Sequence, residues 1–385
     1  MKILIIRNFP SYMSVIRNTY NIQEVGLAKA LVRKGQDCDI LFWTDKEEEN
    51  ITIDAGDNKS ITVFYRRGIT KLKNTVYDHC GELFEKYDIL QPCEYNQIQS
   101  WILAKKFPEK TIIYHGPYYS KFNKNYNRMC KVFDMFFKKS YVRLDTPFIV
   151  KSHLSREFML SKGISPENIT MAGVGVDTQM LISDHEQCTE PLYKDISENK
   201  SDIKLLYIGR LEPRRNIRFI FETFSLLHKK FPATKLYMIG TGEREYVSRV
   251  FDFAKQAGIM EHIVWQEKME QKYLSSIYSQ ADYFILPTEY EIFGMVLLEA
   301  MYFNTVVFTT RNGGSSVLIN NRENGFIMER LDPSEWANMI ADCINHPDMA
   351  KRVACRASET ISSNFTWDRL SDKFIAAYQM LLNNK

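Results

Sequence analysis

Two glutamates stand eight positions apart in the stretch TEYEIFGMVLLEA, residues 288–300. Glu291 comes just before an apolar run, and Glu299 sits inside it beside Leu297, Leu298, Ala300 and Met301. At a helix start a carboxylate compensates the dipole, worth about 0.3–1 kcal/mol. Within a packed helix face it is costly unless hydrogen-bonded, so Glu299 needs partners such as a buried arginine or the two hydroxyls of a ribose. A second group lies in GRLEPRRN, residues 209–216, where Arg210, Arg214 and Arg215 crowd a turn that leads into a helix. Cations at a helix N-terminus oppose its dipole, and guanidinium forks match phosphate oxygens. The turn therefore reads either as a diphosphate site or as a solvated turn with Glu212 pairing one arginine. Weaker candidates are Gly240 in GTGE, Gly313 and Gly314 in RNGGSS, and His115 in YHGPYY. Glycines there admit a ligand close to the backbone or simply make tight loops. His115 reads as a structural histidine or as one lining a site.

The elements that must position these residues alternate between β-rich and amphipathic runs. In the first half the pattern predicts strands over 2–8, 37–43, 61–67, 87–93, 110–116, 147–152 and 169–175. Residues 182–202 are polar, carry Pro191 and read as an exposed linker region. The alternation restarts with strands predicted over 203–209, 234–240, 262–267, 283–288, 305–310 and 324–328. Alternating β and α runs imply a parallel sheet with helices on both faces. The expected fold class is thus α/β, with two doubly wound, Rossmann-like domains facing a cleft. The boundaries fall at 1–182, a linker at 183–202, and 203–365. In such folds ligands bind outside the carboxyl ends of the strands, and the candidates above lie at the carboxyl end of a predicted strand or in the loop and helix that follow it.

Composition narrows the function class. The chain has 385 residues, 45% apolar and 25% charged, with a net charge of +3. That balance suits two or three ordinary domains and argues against a nucleic-acid partner, which calls for a concentrated basic stripe. Seven cysteines, an odd number without a CxxC pair, read as reduced thiols in a cytosolic protein. The start, MKILIIRNFPSY, lacks the apolar core of a signal peptide, and no run approaches the roughly 18 apolar residues of a membrane span. The expectation is a soluble cytoplasmic chain, or one bound to a membrane from outside. Residues 121–145 carry seven Lys/Arg against two Asp. On a helix there, Met129, Phe133, Phe136 and Phe137 share a face with Arg128, Lys131 and Lys138 roughly opposite. Such a helix reads as a core helix with solvated lysines, or as one lying on an anionic lipid surface.

Taken as a set, these residues resemble glycosyltransferase family 4, the retaining transferases of the GT-B fold. The family's E-x7-E spacing, with F-G two residues after the first Glu, is met by Glu291, Phe293, Gly294 and Glu299. Its G-R-L-x-P-x-K-N turn is matched by Gly209 to Asn216, with Arg215 in place of lysine. Residues 155–181 look like the end of the family's first domain, with G-V-D at Gly175 to Asp177, and NFTWDRLSDKFIAAYQMLL resembles its closing helix. The resemblance implies that this helix, 366–385, crosses back to the first domain. It implies that Arg210 and Arg215 hold the donor diphosphate and that Glu299 binds the ribose. Glu291 and the N–H groups of Phe293 and Gly294 would contact the transferred sugar, with His115 near it and Gly240 along the donor. The partners implied are a nucleotide-sugar donor and a glycan or lipid-linked hydroxyl acceptor. No cofactor and no metal are expected, since arginines and helix N-termini can carry the charge work. Three positions depart from the family pattern: loop 8–21 has no glycine, Glu267 and Lys268 stand where glycine is frequent, and Val317 replaces an acidic residue. Two alternatives stay open. One is another GT-B enzyme, such as a sugar-nucleotide epimerase or an inverting transferase; the other is a non-catalytic GT-B-like scaffold. A nicotinamide-dependent dehydrogenase lacks support, because no GxGxxG follows the first strand.

Overall fold

The computed structural model describes residues 1–16, 22–181, 188–200 and 203–383. The chain divides into two compact units, Met1–Asp177 with Phe365–Lys385, and Thr178–Asn364.

The first unit contains strands β1 (Lys2–Ile6), β2 (Asp37–Trp43), β3 (Glu49–Gly56), β4 (Lys59–Arg66), β5 (Ile69–Lys71), β6 (Asn74–Val76), β7 (Ile89–Pro92), β8 (Ile113–His115), β9 (Phe148–Val150) and β10 (Ile169–Met171). Five of them run in the order β3-β4-β2-β1-β7 and three in the order β10-β9-β8. Parallel bridges Leu90–Thr111 and Cys93–Tyr114 connect the two groups beside β7 and β8. The pairings are parallel except β3 with β4 and the separate hairpin β5–β6. Runs such as Ile3–Ile6, Ile40–Phe42 and Phe148–Val150 are fully buried, as strands covered on both faces must be.

All seven strands predicted for this half form, mostly shorter than predicted. The strands β3, β5 and β6 were not anticipated. β3 is largely exposed, so its sequence lacks the apolar run that flags a buried strand. The closing helix, Trp367–Asn383, packs on helix Gln23–Arg33 of this same unit. Its Trp367, Leu370, Phe374 and Tyr378 are buried, and each such side chain contributes about 1.5–3 kcal/mol. Arg33 and Lys34 meet Asp368 and Asp372 at 2.7 and 2.8 Å. The Tyr378 hydroxyl donates to Gln91 Oε1 at 2.6 Å. The helix therefore returns to the first unit as the sequence implied.

The second unit holds β11 (Ile203–Ile208), β12 (Thr234–Ile239), β13 (Ile263–Gln266), β14 (Tyr283–Leu286), β15 (Val306–Thr310) and β16 (Phe326–Met328). They form one parallel sheet in the order β13-β12-β11-β14-β15-β16. The chain builds outward from β11 through β13, then crosses to β14 and builds the other way. The switch point, where such sheets bind ligands, thus lies between β11 and β14.

The segment read as an exposed linker differs from that reading. Residues 182–187, 201 and 202 lie outside the described residues. The remainder includes helix Pro191–Glu198, whose Leu192 and Ile196 are buried. Two apolar residues four apart and a proline in first position are the local cause. Asp195 on this helix meets Lys235 at 3.2 Å and accepts from the Tyr237 hydroxyl at 2.8 Å. All seven cysteines are free. Among the described residues no helix is long and apolar enough to cross a membrane.

Candidate active site

The two loops at the switch point of the second unit carry the arginine turn and the first glutamate. After β11 the chain makes a short 3-10 turn, Pro213–Arg215, and then helix Ile217–Lys230 begins from Asn216. After β14 it runs through residues 287–294 into helix Met295–Tyr302, which begins from Gly294. Both starting residues adopt left-handed backbone, φ +53° and +81°. Hydrogen bonds sew the loops together. The Glu289 N–H donates to the Arg214 carbonyl at 2.9 Å, and Asn216 Nδ2 donates to the Pro287 carbonyl at 2.8 Å. Arg214 Nη1 also donates to the Tyr290 carbonyl.

This stitching brings the charges together. Arg215 Nη2 stands 2.5 Å from a Glu291 carboxylate oxygen. Arg214 pairs with Glu212 at 2.7 Å, so the solvated-turn alternative describes Arg214. Arg215 Nε also faces Glu212, but at 3.9 Å, and this side chain is 11% exposed with Nε and Nη1 buried without a hydrogen-bond partner. Buried guanidinium donors left open are costly, and an anion would satisfy them. Arg210 is exposed, and among the described residues its side chain has no partner.

Glu299 lies in helix Met295–Tyr302, 2% exposed, between buried Leu297, Leu298, Ala300 and Met301. The helix is buried nearly all round, so this residue is shielded from solvent. Phe293 is also buried. Among the described residues the N–H groups of Phe293 and Gly294 donate to nothing, so two orphan donors precede the helix.

The structure gives the glycines packing reasons. A Cβ on Gly314 would stand 1.5 Å from the Phe293 carbonyl oxygen, and one on Gly313 2.0 Å from that of Ile292. The Gly313 N–H donates to the Glu291 carbonyl at 3.0 Å. The backbone these glycines approach is therefore the Glu291–Phe293 loop itself. A Cβ on Gly240 would likewise collide with the Gly209 carbonyl oxygen, at 1.8 Å. Gly240 lets the ends of β11 and β12 close on each other.

The first unit has its own switch point, between β1 and β7, and it too is charged. Arg7, after β1, meets Glu24 at 2.8 Å. Asn8 Nδ2 donates to the Cys93 carbonyl at 3.0 Å. Glu94, after β7, is buried and holds φ +70°, a left-handed conformation costing a non-glycine residue about 1–2 kcal/mol. Its Oε2 lies 2.9 Å from His115 Nδ1 and accepts the Gly116 N–H at 3.1 Å, while Oε1 faces Lys151 at 3.7 Å. Burial would push the Glu94 carboxyl up, but Lys151, His115 and the Gly116 N–H outweigh it and hold the pKa below its ordinary value. Burial pushes the Cys93 thiol up to about 12. His115 itself is fully buried, and among the described residues its Nε2 has no hydrogen-bond partner. Glu94 and Lys151 were not singled out from the sequence. The available signal was their position directly after strands whose other ends are apolar.

Arg215 and Glu291 are thus placed in contact, with Phe293, Gly294, Gly313 and Gly314 on the same loops. His115 belongs to a separate cluster in the first unit. Among the described residues no group of three or more His, Cys, Asp or Glu side chains is arranged to hold a metal ion.

Comparison with known proteins bears on this geometry. Residues 190–360 match the model of the glycosyl transferases group 1 family. A glycosyltransferase from Rickettsia africae superposes with a TM-score of 0.74 at 18% identity, covering 100% of both chains. Sucrose-phosphate synthase from Thermosynechococcus elongatus gives 0.73 at 16% identity, covering 100% of both. Anabaena HepE in complex with UDP-glucose gives 0.70 at 16% identity, covering 100% of this chain and 99% of that one. The fold is therefore that of the GT-B glycosyltransferases. Among curated relatives, the D-inositol 3-phosphate glycosyltransferase of Segniliparus rotundus is 21% identical over 219 residues, 56% of this chain and 48% of that protein. The glycogen synthase of Mycobacterium tuberculosis is 26% identical over 175 residues, 46% of this chain and 42% of that protein. The chain spans about half the length of the curated relatives it matches.

Proposed function

We propose that the protein is a retaining glycosyltransferase of family 4 that moves a sugar from a UDP- or GDP-sugar to a hydroxyl acceptor. The observation that carries this reading is Arg215: a nearly buried guanidinium with two open donors, held beside Glu291 at the sheet's switch point. A relative named as a D-inositol 3-phosphate glycosyltransferase, and the likeness of fold to HepE, which was solved with UDP-glucose, support it. In this reading Arg210 and Arg215 bind the diphosphate and neutralise it as it leaves. Glu299 binds the ribose, and Glu291 with the Phe293 and Gly294 N–H groups binds the sugar.

Transfer would be front-face. The glycosidic bond to the diphosphate breaks as the acceptor oxygen bonds to the anomeric carbon, and the leaving phosphate oxygen takes the acceptor's proton. The chain's own residues position the reactants and stabilise charge, and neither glutamate is needed as a base. We expect no metal. The acceptor we favour is a glycan or lipid-linked one in the assembly of bacterial surface polysaccharide. Segment 121–145 would then meet an anionic membrane on its cytoplasmic side.

The test is to incubate the protein with a panel of UDP- and GDP-sugars, without acceptor, and follow the released sugar by proton NMR. Release first as the anomer matching the donor supports the reading. Release first as the opposite anomer contradicts retention.

A further inference from the structure

Helix Lys124–Arg143 does not bury the face that its sequence suggested. Phe133 is buried and Phe137 half-buried, but Met129, Val132, Met135 and Phe136 are exposed, by 40%, 53%, 79% and 70%. The expected split between an aromatic face and an opposite basic face is therefore corrected. Arg128, Lys131 and Lys139 are exposed as well, so cations and large apolar groups share the solvent side. Cys130, Phe133 and Tyr141 are the residues this helix buries, which leaves its other large apolar groups at the surface.

Opposite this helix stands the hairpin β5–β6. Its tip, Leu72 and Lys73, holds φ +50° and +61°, and Leu72 is 78% exposed. A branched apolar residue at such a tip gains nothing in the fold: the turn favours Asn or Gly, and water is a poor place for leucine. Between the hairpin and the helix lies a groove of about 310 Å³. Leu72, Met129, Val132, Phe136 and Phe137 line it, with Arg128 at its edge. Lys71 and Lys73 bracket Leu72 in sequence and are exposed.

We propose that this groove seats one hydrocarbon chain of an anionic membrane lipid, its headgroup met by Arg128 and the hairpin lysines. The inference rests on the proposal that segment 121–145 meets a membrane, and is independent of the donor site. Charge complementarity selects the occupant. An apolar groove lined by Arg128, on a helix that also exposes Lys131 and Lys139, suits an anionic amphiphile, whereas a protein partner's apolar face would leave those cations desolvated. The protruding Leu72 and Phe136 would enter the acyl layer on either side of the chain.

Trp101 supplies a probe, because its ring packs 4.8 Å from Phe137, which lines the groove. The experiment mixes the full chain with vesicles of phosphatidylcholine and phosphatidylglycerol whose acyl chains are brominated, and reads binding by flotation and tryptophan quenching. The expected result is binding at low salt, with quenching that disappears in Trp101→Phe. Val132→Glu and Phe136→Glu, both at exposed positions, should weaken binding by about tenfold or more. Binding without Trp101 quenching would mean that the helix adheres by charge alone and would overturn the chain seat while sparing the membrane contact. No binding to the anionic vesicles would overturn both, and neither result touches nucleotide binding by the other unit.

Discussion

The Arg215 guanidinium and the Glu291 carboxylate lie 2.5 Å apart, on loops that follow two adjacent parallel strands. The contact leaves Arg215 with two buried donors unused. It also places a negative charge where a phosphate would have to approach. The two residues therefore make opposite contributions to anion binding. Arg215→Ala should weaken binding of a nucleoside diphosphate about 10–100-fold, the loss of about 1.5–3 kcal/mol expected for charged hydrogen bonds. Glu291→Gln should leave that binding unchanged or tighter, because it removes a competing anion, yet should lower sugar transfer by about 100-fold. Parallel titrations and turnover assays separate the two. Equal losses of nucleotide binding in both variants would show that the pair acts only by holding the loops.

Glu94 ties the first unit's stability to pH. Its folded pKa is below the ordinary 4.5, so the ionised form stabilises the fold above that value, and the contribution is lost as pH falls through the lowered folded value. Removing it strips Lys151 and His115 of their buried partner, and Glu94→Ala should cost about 3 kcal/mol near neutral pH. Urea unfolding at pH 7 and pH 3 checks the sign, since the gap between wild type and Glu94→Gln should shrink at the acid end. A gap independent of pH would mean that the carboxylate charge is irrelevant and only the shape of the side chain matters.

Gly314 should be intolerant of any side chain. Its Cβ would overlap the Phe293 carbonyl oxygen, so Gly314→Ala must push apart the loops that carry Glu291 and the orphan N–H groups. Overpacking of this kind costs about 1–3 kcal/mol. Chemical denaturation should show that loss, and nucleotide affinity should fall with it. Unchanged stability would place the two loops farther apart than described.

The alternation of apolar runs with amphipathic helices made the parallel strands legible, because strands covered on both faces leave unbroken apolar segments such as Ile3–Ile6. β3 was not legible for the same reason, being an exposed antiparallel strand whose only strong local signal is the turn at Asp57 and Asn58, both with positive φ. The Leu192–Ile196 helix was masked by the polar residues around it. In the site, the sequence exposed Arg215 and Glu291 through residue type and spacing, but their contact depends on the adjacency of β11 and β14, which only topology supplies. Glu94 shows the limit most clearly. Its place directly after the strand in YDILQPCEY is the one signal it carries, and its role beside His115 appears only when β7 and β8 are neighbours.

The central claim is that the switch point of the second unit binds a nucleoside diphosphate. The most direct measurement is isothermal titration of the purified protein with UDP, GDP and ADP, beside Arg215→Ala and Glu299→Gln with their folding checked by circular dichroism. UDP or GDP is expected to bind well, and both folded variants to bind it at least about tenfold more weakly. Failure of all three nucleotides to bind the folded wild-type protein, or binding that both variants retain in full, would contradict it.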